Sequence, residues 1–280
     1  MKRNQIVLLI LLIITLTALI FSFWKISKNS KNSNQIPATT SIMSNSAKSD
    51  FVEERAITDK NDFYEISVKY PVDSRDIKKE IETFISYLVE NKQQEWKVGG
   101  EIYNEEKALS DLYPDRPEMV YSYDISYETF ESLNKGTVSY VFTIYQFSGG
   151  AHGSAQINTF TFNNEGRVNI EDVLNISENN NDIELSRILA AKIKKEQNGM
   201  FMEDMMMEGM GLAYLKADGV TLDKEKCNCD GFFYGSNLQN FYILDEGITF
   251  LFNQYQIAPG ALGVIKTTLD WETLSPYLKS

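Results

Sequence analysis

The longest unbroken apolar run in the chain is IVLLILLIITLTALIFSFW, residues 6–24, without a single charge. At ~1.5 Å rise per residue it makes roughly 28 Å of helix, close to the ~30 Å hydrocarbon core of a bilayer. Residues 25–49 hold Ser, Asn, Lys and Thr and almost nothing large and apolar, which predicts a flexible stalk. Regular patterning starts after it. DFYEISVKYP (62–71) alternates, putting Tyr64, Ile66, Val68 and Tyr70 on one face of a strand. Ile77, Ile81, Phe84, Ile85 and Leu88 then recur at helical spacing to about Gln93, with Asp73 or Ser74 able to cap the helix. Residues 120–133 and 137–147 read as long aromatic-rich strands joined at Asn134-Lys135-Gly136. A third strand over 154–162 sets Ile157, Thr159 and Thr161 against Asn158, Phe160 and Phe162.

The second half alternates less and caps more. NIEDVL (169–174) is a short helical phrase, and 183–197 a longer helix with Gly199 as its stop. Residues 200–215 predict one helix, or two broken near Gly209 and Gly211. Two strands over 240–256 flank the Asp245-Glu246-Gly247 turn, and 263–269 is another. Strands and helices in separate runs, joined by hairpins, predict an α+β fold rather than a doubly wound sheet. The expected order is a head at 1–5, a transmembrane signal anchor at 6–24, a stalk at 25–49, and two packed α+β modules with largely antiparallel sheets at 50–170 and 171–280.

The anchor outruns the ~7–15-residue apolar core of a cleaved signal, and no good cleavage pair follows it. The expectation is therefore a single-pass cell-membrane protein with its C-terminal domain extracytoplasmic; cleavage and secretion is the alternative. All 39 acidic residues follow the stalk, against 22 of the 27 basic ones from Lys48 onward, so this part carries a net charge of −17. Such a surface excludes nucleic acid and steers cationic partners. One histidine excludes most His-based metal sites, and two cysteines exclude a disulfide scaffold or a four-Cys zinc site. No cofactor and no metal are expected.

The chemistry-bearing residues are few. His152, the one imidazole, sits in the glycine-rich loop SGGAHG (148–153). It either holds that loop through neighbouring carbonyls, touches a ligand, or acts as a base. Cys227-Asn228-Cys229 is either bridged or, with Met200, Met202, Met205, Met206, Met207 and Met210 upstream, a soft-metal site; packing is the plainer role for those methionines. The acids of 218–231 do not follow the order of a twelve-residue calcium loop.

Three stretches are familiar together: YQFSGGAHGSAQINTFTFNNEGR (145–167), IEDVL (170–174) and NFYILDEGITFLFNQYQIAPGALGVIKTTLDWETLSPYL (240–278). They resemble the paired extracellular modules shared by the lysozyme-sensing anti-sigma factor RsiV and the non-catalytic part of the peptidoglycan deacetylase PdaC. The resemblance implies two cooperating α+β modules, PdaC-like then RsiV-like, and in the RsiV branch a surface that binds lysozyme. With five residues before the anchor and no deacetylase module, it implies neither anti-sigma nor deacetylase activity. The reading is a binding or sensor module, not an enzyme, for a cationic protein such as lysozyme or a cell-wall fragment. A peptidoglycan-acting envelope enzyme with His152 as base, or a structural envelope protein, are the alternatives. The candidate contact residues are Ser148, Gly149, Gly150, Ala151, His152 and Gly153, with Tyr255, Ile257, Ala258, Pro259 and Gly260. Members of the family often place Pro before that Tyr and an aromatic after the Pro; this chain has Gln254 and Gly260 instead.

Overall fold

Every second residue at the start of 64–72 is buried, as a strand with one face on a core requires, and it forms the second strand of a six-stranded sheet. The computed structural model describes residues 53–72, 77–115, 119–197, 202–227 and 234–279. The predicted anchor and stalk, the caps Asp73 and Ser74, the stop at Gly199, Met200 and Cys229 lie outside the described residues. No helix among the described residues is long and apolar enough to cross a membrane.

The sheet runs β1 (Glu53–Lys60), β2 (Tyr64–Val72), β3 (Tyr121–Ser132), β4 (Thr137–Phe147), β5 (Ser154–Asn163) and β6 (Gly166–Val168) in that order. All neighbours are antiparallel except β2 and β3, which are parallel. A parallel pair needs a crossover, and here it consists of α1 (Ile77–Trp96) and α2 (Glu101–Leu112). Ile81, Ile85, Val89 and Trp96 of α1 cover one sheet face, packing with Tyr64, Ile66, Val68, Tyr140, Phe142 and Phe162.

A second core lies among α3 (Ile170–Val173), α4 (Asn181–Glu196), α5 (Glu203–Gly209), α6 (Trp271–Leu274) and a small antiparallel sheet. That sheet is β7 (Phe241–Ile243), β8 (Gly247–Phe252) and β9 (Ile265–Asp270). Asn169 and Asp172 close a capping box around α3. Gly211 adopts φ +73°, breaking the methionine-rich segment after α5 as its glycines predict. Met206 and Met210 are buried in this core.

The two cores meet across the other face of the large sheet, where Val141 and Ile157 pack on Tyr242 and Leu251. Phe130 stacks on Tyr242 at 3.9 Å between centroids. β7 lays its free edge on that face. Its outward amides are satisfied by hydroxyls rather than a strand: Phe241 N donates to Thr159 Oγ1 (3.0 Å) and Ile243 N to Ser139 Oγ (3.4 Å). The architecture is thus the expected mixed α+β with largely antiparallel sheets.

Candidate functional site

Strands β4 and β5 end in the loop 148–153, and β8 ends in the loop 253–260. The β5 amides facing away from β4 near this end have no neighbouring strand, because β6 pairs only with Thr161–Asn163. Side-chain amides of the second loop take them instead. Ala155 N donates to Gln254 Oε1 (2.8 Å) and Ile157 N to Asn253 Oδ1 (2.6 Å). Gln254 Nε2 donates in turn to the Gly260 carbonyl (2.7 Å), closing the second loop on itself. The two glycine-bearing loops therefore lie side by side on one edge.

At their junction the Tyr255 hydroxyl lies 3.1 Å from His152 Nε2, with the rings near-parallel and 6.1 Å apart. His152 Nδ1 is 3.0 Å from the Gly153 carbonyl. A carbonyl only accepts, so in the neutral imidazole Nδ1 carries the hydrogen and Nε2 accepts from the tyrosine. Both ring nitrogens are engaged, and neither by a carboxylate. A general base oriented by an acid, the arrangement catalysis by His152 requires, is not what this geometry presents.

Tyr255 is held at φ +68°, a conformation that costs a non-glycine residue about 1–2 kcal/mol. The Gln254 bonds on one side and Gly260 on the other hold it there. A Cβ on Gly260 would overlap the Tyr255 ring, so the ring lies across the bare glycine. Gly153 is covered in the same way by Tyr145, and Gly149, at φ +91°, by the Met119 methyl group. Tyr145 and Tyr255 remain 38% and 45% exposed, which leaves two aromatic rings beside an exposed imidazole.

Of the predicted contact residues, Ser148, Gly150, Ala151, His152 and Tyr255 are exposed, and Gly149, Gly153, Pro259 and Gly260 are half-buried. Ile257 and Ala258 are corrected: they are 0% and 1% exposed and belong to the second core, anchoring the loop from beneath. Sequence reasoning missed Asn253, Tyr145 and Met119, and it singled out Gln254 without its bonds to Ala155 and Gly260. The pairing of Tyr145 with Ala155 across the hairpin was the available signal for Tyr145; nothing local pointed to Asn253 or Met119.

The remaining candidates lie elsewhere. Cys227 is disulfide-bonded and so is no thiolate ligand. Among the described residues no cluster of three or more His, Cys, Asp or Glu could hold a metal ion. Asp218 accepts from the amides of Val220 and Thr221, forming a turn rather than a calcium loop. The Thr221 hydroxyl and these amides hold its carboxyl down at about 2.

Residues 57–155 match the family model described as Deacetylase PdaC, and residues 172–272 that described as a protein of unknown function, DUF3298. Among solved structures, a member of the DUF3298 family from Bacteroides fragilis is similar at 16% identity and a TM-score of 0.52, over 82% of this chain and 94% of that one. A DUF3298 family protein from Pseudomonas aeruginosa is 15% identical, with a TM-score of 0.43 over 82% and 95%. Nothing among the curated proteins matches the chain. The first structural likeness concerns the fold alone. The chain thus carries a PdaC-like module followed by a DUF3298 module, the pair to which its sequence resemblance points.

Proposed function

We propose that the chain is a membrane-anchored, extracytoplasmic binding module that performs no catalysis. Its binding edge is where the loops 148–153 and 253–260 meet, and its partner is a cationic cell-wall-associated protein of the lysozyme kind. The observation that carries this reading is the His152–Tyr255 contact, which makes one exposed surface of two loops about a hundred residues apart in sequence. Tyrosine rings in such a setting supply large, rigid, amphipathic contact area, the kind that dominates protein interfaces. The −17 charge from Lys48 onward supports a cationic partner, since it accelerates encounter and makes binding salt-sensitive. The 19-residue apolar run supports the outward-facing placement.

The test is retention of residues 48–280 on immobilised lysozyme at low and at physiological salt. Retention is expected at low salt and falls as salt rises, and Tyr255→Ala weakens it about tenfold, the effect of ~1.4 kcal/mol. Absence of retention at both salts ends the lysozyme version of this reading.

A further inference from the structure

A cleft of about 690 Å³ opens between the tip of the β3–β4 hairpin, β6, α3 and the C-terminal segment, and includes none of the residues of the two loops above. Its size is that of a small-molecule site. Val173, Ile243, Trp271 and Leu278 give it apolar walls. The Trp271 indole N–H donates to the Asp245 carbonyl (2.9 Å), which fixes the ring as a wall rather than a swinging side chain.

Three cations face two acids around the cleft, in a chain whose net charge is −12. Lys135, Arg167 and Lys279 all line it. Arg167 is already spoken for, bonded to Glu80 and the Thr159 carbonyl and stacked on Phe160 at 4.2 Å. The two lysines are different. Lys135 Nζ stands 4.1 Å above the Trp271 ring, and Lys279 Nζ donates to the Glu171 main-chain carbonyl at 3.0 Å. Neither has a carboxylate partner among the described residues. Of the two acids in the walls, Asp172 is engaged by the Asn169 amide in the α3 capping box, leaving Glu165. Two ammonium groups that form no ion pair among the described residues, beside an aromatic and aliphatic wall, suit a ligand that is anionic at one end and apolar along its body.

We propose that this cleft binds a small carboxylate of dipeptide or acylated amino-sugar size, its carboxylate at the lysine rim and its body against Trp271, Val173 and Leu278. The site is independent of the loop edge and of the function proposed for it. The test uses the full chain in detergent and follows the Trp271 indole resonance, one of three indoles in the chain, assigned with Trp271→Phe. The probes are N-acetyl-Ala-Ala, its C-terminal amide, and N-acetylmuramic acid. Expected is a saturable shift with one or both acids, at least tenfold weaker binding of the amide, and a similar loss in Lys135→Gln/Lys279→Gln. Both lysines are exposed, so the double variant keeps the fold, checked by unchanged circular dichroism. Which acid binds tighter separates a peptide from an amino-sugar source. The His152 resonance stays still throughout, which separates this site from the loop edge. No shift with either acid up to ~10 mM, below any useful affinity, overturns the proposal; so does an amide that binds as well as its acid, or a double variant that binds as wild type.

Discussion

Gly260 and Gln254 act as a pair. Together they place Tyr255: the Gln254 side chain ties the loop to Ala155 and to Gly260, and the missing Cβ leaves room for the ring to lie flat and reach His152. Gly260→Ala therefore displaces the ring, and Tyr255→Phe keeps the ring but removes the hydroxyl. Both are expected to change the nitrogen shifts of the one imidazole in the same direction. Both cost the exposed loop less than ~1 kcal/mol of stability. An unchanged His152 signal in Gly260→Ala would show that the ring does not rest there. Identity at these positions was legible from the chain; their joint effect was not, because it depends on a contact between residues 103 apart.

Among the elements, those with a buried face were readable and those without one were not. The alternation of β2 and the helical stripe of α1 arise because each places one side against a core. β1 is an edge strand, exposed along most of its length, and α2 buries no residue and begins at Gly100 instead of a Ser, Thr or Asp cap. Neither leaves a hydrophobic period in the sequence. The buried hydroxyls are a separate case. Ser139, Thr159 and Thr161 occupy inward positions where alternation asks for apolar residues, and two of them serve the unpaired edge of β7. Thr159→Val keeps the shape and removes the acceptor of the Phe241 amide. It is expected to destabilise the protein by about 1–3 kcal/mol, the cost of an orphaned buried donor, and to speed hydrogen exchange at Phe241. A denaturation midpoint equal to wild type would mean that the amide has another partner.

For the whole molecule, the core between the large sheet and α1 sets a response to alkali. Burial pushes Tyr123 and Tyr127 up to about 12, with nearby Glu95 and Glu54 adding to the effect. The neutral phenol is the form the fold favours, while the unfolded chain ionises near the ordinary value of 10. The stabilisation is complete below pH 10 and is lost as pH climbs from 10 towards 12. Denaturant melts from neutral pH upward should fall across that window, and Tyr127→Phe should flatten the fall. If every tyrosine ionised near 10 with the fold intact, the burial argument would fail. The sequence by itself determined the α+β class, the main strands and helices, the acidic balance and the pair of module types, because each is written in local period, composition or contiguous motif. Only the tertiary structure decided that 148–153 and 253–260 form one edge, that Ile257 and Ala258 are core, and that Lys135, Trp271 and Lys279 surround one cleft. Those pairings depend on which strand edges lack partners and which side chains stand in for them, and that competition is settled only when the chain has folded.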